Sequence, residues 1–326
     1  REGIQMHTFP RAVITRRGFL WSGLATAAMA ARLRGQPRRP PNIVLILADD
    51  LGWRDLPFNG SDFMETPRLE GLRREGMTFT SAYAGAANCA PSRACLLSGQ
   101  YTPRHAVYAV QSTKRGPVAE MRLEPVPNEV NLDPEKITFA EAMRDAGYVT
   151  GLFGKWHLGN KDGSEPMAQG FGTYYDSRFP NPNRPRGIED DPKGLFSITT
   201  TACNFIETNR ERPFLCYIAQ HAIHTTLEAR PDSIRKFRAK PKGKQHGAAM
   251  YAACVYDLDA AVGIVLDKLK ELGLEENTVV LFTSDNGGTQ QSSQEPLRGS
   301  KGAYYEGGIR EALLARWPGV IKPGSV

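Results

Sequence analysis

The stretch Ile43-Val44-Leu45-Ile46-Leu47-Ala48-Asp49-Asp50 predicts the fold of this 326-residue chain. Its first part is an unbroken apolar run that leads directly into two carboxylates. A strand that is apolar at every position is buried on both faces, which is typical of a parallel sheet covered by helices. Residues 214–218 and 279–282 have the same character. We therefore expect three strands of this kind in one sheet.

Helix signals lie between these strands. Residues 66–76 and 138–147 each begin with a Thr cap and end at a glycine, and the second start is a capping box. Residues 251–272 place apolar side chains at alternating steps of four and three, which predicts a helix with one buried stripe. We expect Asp257 and Asp259 on its solvent-facing side. The alternation predicts a doubly wound α/β fold, with a mostly parallel sheet and helices on both faces.

Polar side chains follow two of the predicted strands at their carboxyl ends. Asp49 and Asp50 come after the first strand, and Asp285 and Asn286 follow the run at residues 279–282. Either pair alone is explained by a solvated turn or a helix cap. In doubly wound sheets, however, ligands gather beyond the carboxyl ends of the strands. Together with Cys89, these oxygens predict a cage for a hard divalent cation, calcium first and magnesium as the alternative.

Residues 89–99 read CAPSRACLLSG and carry the strongest chemical signal. Pro91 predicts a fixed turn, Ser92 a helix N-cap and Arg93 a nearby charge ahead of an apolar helical run. A thiol at the positive end of a helix suits an activated nucleophile. A lone cysteine is more often a small buried hydrophobe, so the surrounding string has to decide between these interpretations.

That string fits the pattern C-x-P-S-R-x-x-x-L-x-G, with Leu97 and Gly99 at its later positions. It resembles the active-site signature of the type I sulfatases, although Ser98 stands where that family more often has Thr. A second string of the family is intact at residues 147–150 (GYVT) and 154–159 (GKWHLG). From about residue 42 onward, the sequence thus resembles the sulfatases of the alkaline phosphatase superfamily.

The resemblance implies a modified nucleophile and a metal. In the family, the cysteine at the position of Cys89 is oxidised after translation to formylglycine, whose hydrate attacks sulfur. Asp49, Asp50, Asp285 and Asn286 match the residues that hold calcium together with the formylglycine oxygen. The implied partners are a formylglycine-generating maturation enzyme and a sulfated small molecule or saccharide as substrate.

The resemblance also assigns catalytic roles to further side chains. Arg93 and Lys155, with the metal, balance the charge on the sulfuryl oxygens. His224 and Lys301 assist the departing alcohol, and His157 accepts a proton as the carbonyl re-forms and sulfate leaves. With three cations, a divalent metal and three carboxylates, the site would present a net charge of about +2 to the anion.

The segment around His224 departs from the family pattern. Thr226 stands where the family commonly has Pro two residues beyond that histidine. His221 is predicted to be a neighbour of His224, with contact to the substrate left open, since a histidine at a strand end is more often hydrogen-bonded than catalytic.

Three alternative functions stay open. The first is a phosphatase or phosphonate hydrolase of the same superfamily. The second is a catalytically silent protein that binds sulfated glycans, and the third is a protein in which Cys89 forms a structural disulfide. Setting Cys89 aside leaves four cysteines, and three pairings of them are open. The four are Cys95, Cys203, Cys216 and Cys254.

Residues 1–39 read as an export segment. Arg16-Arg17 precedes a 14-residue apolar stretch that is too short to span a bilayer, as in a twin-arginine signal. The segment holds eight Arg and one Glu, so residues 40–326 hold 33 basic and 34 acidic side chains. This balance argues against a nucleic-acid or membrane-surface partner. We expect twin-arginine export to the periplasm or medium, and a catalytic domain over residues 40–326.

Three expectations concern the rest of the chain. Residues 180–194 and 230–247, rich in Pro, Gly and charge, are predicted as long surface loops. The resemblance implies that a smaller C-terminal subdomain is missing, so the run at residues 312–317 is predicted to lie on an exposed sheet edge. Recognition outside the sulfate pocket depends on variable loops. Polysaccharide, glycosaminoglycan and aryl sulfates are therefore all open as substrates.

Overall fold

The apolar run at residues 43–47 forms strand β1 (Asn42–Ala48), the middle strand of a seven-stranded sheet. This computed structural model describes residues 39–114, 116–178 and 190–326. The predicted export signal and most of the segment at residues 180–194 lie outside the described residues. The part from Pro41 to Val326 forms one compact unit.

The sheet is mostly parallel, as predicted. Strands β6, β1, β5, β3 and β4 run parallel in that order, β7 is antiparallel to β6, and β2 is antiparallel to β7 at the edge. The strands besides β1 are β2 (Met77–Tyr83), β3 (Val149–Gly154), β4 (Thr173–Tyr175), β5 (Phe214–Ala219), β6 (Thr278–Ser284) and β7 (Arg310–Arg316).

Helices cover both faces of the sheet. They are α1 (Pro67–Glu75), α2 (Cys89–Ser98), α3 (Thr102–His105), α4 (Phe139–Asp145), α5 (Leu195–Thr208), α6 (Pro231–Ala239), α7 (Ala249–Glu271) and α8 (Glu306–Ile309). Short 3-10 turns lie at Pro57–Asn59, Val118–Glu120, Pro192–Gly194 and Glu275–Asn277. The capping box of Thr138 and Glu141 is present at the start of α4.

Alternating residues of β1 supply two separate cores. Val44 and Ile46 pack in the core that α1, α5, α6 and α7 cover, whereas Leu45 and Leu47 pack in the core that α2 and α4 cover. Successive side chains of a strand point to opposite faces, so a strand that is apolar throughout requires cover on both sides. The doubly wound α/β fold is therefore confirmed.

The prediction that Asp257 and Asp259 face solvent is wrong, because both side chains are buried. Asp257 accepts hydrogen bonds from the backbone N–H of Arg230 at 2.7 Å and from Ser233 Oγ at 2.5 Å. Asp259 accepts from the first backbone N–H groups of α1, at 3.0 and 2.8 Å. The two carboxylates satisfy free amides at helix starts. The sequence pattern of α7 alone cannot reveal such partners.

Two further expectations need correction. The run at residues 312–317 is largely strand β7, which lies between β6 and β2 and so is paired on both sides. The predicted loop at residues 230–247 contains helix α6, whose first position is Pro231. Proline is favoured at the first helical position, where its missing N–H costs nothing.

The five cysteines are all unpaired and buried. A structural disulfide at Cys89 is therefore absent from this fold. Helix α7 is long and apolar enough to cross a bilayer by composition, and 67% of its most apolar window is buried within the fold. Within the described residues no other helix meets this test, which a buried core helix also passes.

The buried carboxylate of Asp55 stabilises the loop after Asp49 and Asp50 through hydrogen bonds. It accepts hydrogen bonds from Tyr251 at 2.6 Å and Ser292 at 2.7 Å. His246 lies 3.6 Å from Asp55 and 3.4 Å from the Asp62 carboxylate. Although burial opposes it, these two carboxylates raise the pKa of His246 above its ordinary value of 6.5.

This cluster predicts a pH dependence of stability. Since the pKa of His246 is raised on folding, its contribution is complete below pH 6.5 and is lost as the pH rises through the folded-state value. We expect the free energy of unfolding, measured by urea denaturation, to fall more steeply above pH 6.5 in the wild type than in His246→Gln. Equal slopes in the two proteins would contradict this assignment.

Candidate active site

The carboxyl ends of β1 and β6 form the floor of the site. The two strands are parallel neighbours, and Ala48 is in register with Ser284. The residues that follow them therefore leave the sheet side by side. Ligand atoms of Asp49, Asp50, Asp285 and Cys89 all lie within 4.8 Å of one another, and all four residues are buried. The structure thus brings together the side chains that the sequence placed at one edge.

Cys89 is the first residue of α2, and its Sγ lies 3.9 Å from Asp50 Oδ1. The N-cap position belongs to Asn88, so the prediction of Ser92 as the cap is wrong. The expected activation of the thiol is also wrong. Burial, with the negative charges of Asp285 and Asp49, raises the pKa of Cys89 to about 12. An unmodified Cys89 is therefore a protonated thiol at neutral pH.

Oxygen atoms without protein partners point to a cation. Asp49 Oδ1 and Asn286 Oδ1 are both buried and accept no hydrogen bond from the described residues. The amide of Asn286 is oriented by its Nδ2, which donates to Asp50 Oδ1 at 2.9 Å. Buried acceptors of this kind are costly unless something satisfies them. Carboxylate and amide oxygens are ligands that calcium and magnesium prefer, so these residues fit such an ion.

Three basic side chains hold the other carboxylate oxygens. Arg93 donates to Asp285 Oδ2 through Nε at 2.9 Å and Nη2 at 2.7 Å. Lys155 Nζ lies 2.6 Å from Asp49 Oδ2, and Lys301 Nζ lies 2.7 Å from Asp50 Oδ2. The positive charges of these three side chains balance the negative charges of the three carboxylates. A divalent cation would therefore make the site positive, which favours an anionic ligand.

The environment shifts the pKa values of Asp285 and Asp49, two of the three buried carboxylates at these strand ends, in opposite directions. Burial and the neighbouring charge of Asp49 raise the pKa of Asp285 above its usual range, against the opposing effect of Arg93. Burial is outweighed at Asp49, where Lys155 and Arg93 hold the pKa well below its usual range. Crowding carboxylates in a dry site is unfavourable, and a bound cation relieves that repulsion.

His157 follows β3 and stands beside Lys155. Burial, together with the positive charges of Lys155 and Arg93, lowers the pKa of His157 to about 3. The imidazole is therefore neutral at physiological pH. Its Nδ1 is buried and has no partner among the described residues, so a neutral ring nitrogen is free to exchange a proton with a ligand.

His224 and His221 have different surroundings. His224 Nε2 lies 3.8 Å from Asp50 Oδ2, and the side chain is partly exposed. His221 is buried, and its Nε2 lies 2.8 Å from Asp176 Oδ1. This pairing agrees with the hydrogen-bonded role predicted for His221 and leaves His224 as the histidine near the carboxylate cluster.

A cleft of about 1340 Å³ leads from solvent to this cluster. It reaches the site at Asp49, Lys155, His157 and His224, whereas Cys89 and the fully buried Arg93 lie beneath this surface. Sequence reasoning missed several charged residues of its wall. They are Asp176, Arg178, Lys193 and Glu228. Strand β4, which precedes the first two, has three residues and is too short to show a period.

The doubly wound sheet and the buried, oxygen-lined site at its carboxyl edge place the chain in the alkaline-phosphatase-like α/β class. The model of the sulfatase family matches residues 41–326. The chain therefore belongs to the sulfatase family.

Relatives agree with this assignment. N-acetylgalactosamine-6-sulfatase of Mus musculus is 34% identical over 93% of this chain and 62% of its own length. A sulfatase of Formosa agariphila is 33% identical over 99% of this chain and 70% of its own length. The crystal structure of Ps i-CgsB in complex with k-i-k-neocarrahexaose superposes with a TM-score of 0.73 at 29% identity, covering 88% of this chain and 68% of that one. The chain thus spans less than two thirds of the mouse relative.

Proposed function

We propose that this protein hydrolyses sulfate esters of saccharides to the alcohol and inorganic sulfate. The observation that carries the proposal is the buried Cys89 in a cluster where Asp49 Oδ1 and Asn286 Oδ1 accept no hydrogen bond from the described residues. A family relative acts, by its name, on a sulfated sugar, and a structural neighbour was solved with a carbohydrate ligand. Membership of the sulfatase family supports the same reaction.

The proposal includes conversion of Cys89 to formylglycine and binding of calcium, with magnesium as the alternative ion. The signature at residues 89–99 and membership of the family support the conversion, and the raised pKa of the Cys89 thiol makes the unmodified residue a poor nucleophile. The hydrated aldehyde would supply a hydroxyl for attack on sulfur, and the ion would supply positive charge for the sulfuryl oxygens. Asp49, Asp50, Asp285 and Asn286 would hold the ion.

The basic side chains position the charge at this site. The guanidinium of Arg93 donates hydrogen bonds to the Asp285 carboxylate and, at 2.9 Å, to the backbone carbonyl of Lys155. Arg93 therefore orients a candidate metal ligand and the backbone at Lys155. Lys155 reaches the cleft and the Asp49 carboxylate together, and can hold a sulfuryl oxygen. Positioned charges of this kind stabilise a transition state without reorganisation.

Proton transfer completes the reaction. As a hydroxyl oxygen of the hydrate bonds to sulfur, the sulfur–oxygen bond to the saccharide breaks, and the departing oxygen takes the proton that this hydroxyl loses, with the help of His224 and Lys301. Neutral His157 accepts the proton that residue 89 loses when sulfate is released and the carbonyl re-forms. Because the pKa of His157 is lowered to about 3, its imidazole is unprotonated at neutral and mildly acidic pH.

Matched esters test the reaction class. We expect protein produced with a formylglycine-generating enzyme to release sulfate from sulfated saccharides or from 4-nitrophenyl sulfate much faster than phosphate from 4-nitrophenyl phosphate. A preference for phosphate or phosphonate would support the other branch of the superfamily. Binding without turnover, by protein whose residue 89 is shown by mass analysis to be the aldehyde, would support a silent glycan-binding protein.

We also propose export to the periplasm or medium through the twin-arginine machinery. The support is Arg16-Arg17 ahead of an apolar stretch. Replacing both arginines by lysine should keep a fused reporter protein in the cytoplasm, as measured by cell fractionation. Export at the wild-type level would contradict the proposal.

A further inference from the structure

The wall of the cleft carries two basic side chains that the reaction does not use. Lys193 and Arg178 both line it, together with the catalytic candidates Lys155 and His224. Lys193 is half-buried, and its Nζ donates to the backbone carbonyl of His224. Arg178 is exposed on the cleft side that follows β4.

The acidic side chains of the same wall all accept hydrogen bonds, and Asp176 and Glu228 accept them from the backbone N–H groups of Arg178 and Lys193. In the described parts of the chain, each lining carboxylate accepts hydrogen bonds from another group. The pairs are Asp49 with Lys155, Asp176 with His221, Asp191 with the backbone N–H of Phe196, Glu165 with the backbone N–H of Gly163, and Glu228 with the backbone N–H of Lys193. These bonds hold the carboxylates in the wall of the cleft.

Within the described residues, neither Lys193 nor Arg178 has a carboxylate as a side-chain hydrogen-bond partner. Among residues 39–114, 116–178 and 190–326, neither side chain forms an ion pair with a carboxylate. The ammonium of Lys193 has three N–H groups, and the His224 carbonyl takes one of them. As far as the described residues extend, the other two N–H groups and the guanidinium of Arg178 have no carboxylate partner and can bind an anion in the cleft.

We propose that Lys193 and Arg178 form a second anion subsite, which recognises a charged group of the substrate other than the sulfate being removed. This inference rests on the proposed sulfatase function and names its substrate class. The preferred substrate is a saccharide with at least two anionic groups, the second being a sulfate or a uronate carboxylate. A polysulfated or uronate-containing oligosaccharide has this character, whereas a simple aryl sulfate does not.

Lys193 links this subsite to the reaction. Its backbone N–H donates to Glu228 and its side chain to the His224 carbonyl, so it joins the segment before α5 to the segment after β5. An anion bound at Lys193 would therefore lie beside the histidine that assists the departing alcohol. Binding energy gained away from the reacting bond can in this way orient the ester for attack.

Matched ligands test the subsite without relying on turnover. Dissociation constants are measured by calorimetry on the unconverted Cys89→Ser protein for N-acetylgalactosamine 6-sulfate, its 4,6-disulfate, and the 6-sulfated sugar linked to glucuronate. We expect the ligands with a second anion to bind about tenfold more tightly, and Lys193→Met or Arg178→Gln to remove most of that difference. The difference should also shrink as salt rises. Comparing the disulfate with the glucuronate ligand identifies which second anion the subsite takes.

A remote exposed lysine provides the control. Lys322→Met should leave the ratio of the dissociation constants unchanged. If Lys193→Met and Arg178→Gln weaken all three ligands equally, or weaken none, the second anion subsite is wrong. The proposed function fails separately, through absence of sulfate release by converted wild-type protein, because the calorimetry reads binding alone.

Discussion

Cys89→Ala should abolish sulfate release, with a loss of at least about 10⁴-fold in kcat, because it removes the atom from which the nucleophile is made. Folding should be little affected. Cys89 donates only a long 3.9 Å contact to Asp50, and alanine fits the space it leaves. The measurements are sulfate release and the thermal transition, made on protein co-expressed with a formylglycine-generating enzyme.

A second cysteine in the same helix supplies the control for this experiment. Cys95 is buried on α2 beside His105, with its Sγ 3.3 Å from His105 Nε2, and it lies outside the carboxylate cluster. Cys95→Ala should keep the aldehyde at residue 89, which mass analysis of that peptide would show. Full activity in Cys89→Ala, or an unmodified thiol in active wild-type protein, would remove the proposed chemistry.

The second large effect concerns the ion. Asp50→Asn should reduce bound calcium from about one equivalent to a small fraction, and activity by about 10³-fold, because it removes one of three ligand charges. Asp50 also forms an ion pair with Lys301, so the substitution removes the charge that this ion pair provides for the Lys301 ammonium. Metal content by mass spectrometry gives a readout that does not depend on turnover.

Calcium should also stabilise the folded protein. An ion that binds only the folded state adds about 2.7 kcal/mol when its free concentration is 100 times its Kd. We expect a chelator to lower the thermal transition of the wild type and to leave that of Asp50→Asn nearly unchanged. Asp267→Asn, which alters an exposed carboxylate far from the cluster, should behave as the wild type. A wild-type protein indifferent to chelator and to added calcium would contradict the assigned site.

Local sequence patterns predicted the elements that carry strong signals. The run at residues 43–47 required cover on both faces, and the structure provides two cores on opposite sides of β1. The capping box at Thr138 could be predicted because its partners are three residues apart. Strands β2, β3 and β4 were not identified, since short or irregular runs show no clear period.

Buried polar groups were harder to predict. Asp257 and Asp259 read as solvent-facing residues, yet each accepts backbone N–H groups from a segment distant in the chain. Their partners lie 27 and 190 residues away. No pattern within α7 records a partner at that separation, because hydrogen bonding between remote segments depends on how the helices pack.

At the active site the amino-acid order was sufficient to name the carboxylates, the cysteine and the lysines, since each follows a recognisable strand or string. Only the packing of the folded chain determined the protonation states of these side chains. Burying Cys89 among acids raises its pKa, and burying His157 among bases lowers its pKa. The placement of Lys193 and Arg178 in the cleft wall was also evident only in three dimensions. Charge balance depends on distances between side chains, and folding sets those distances across remote parts of the chain.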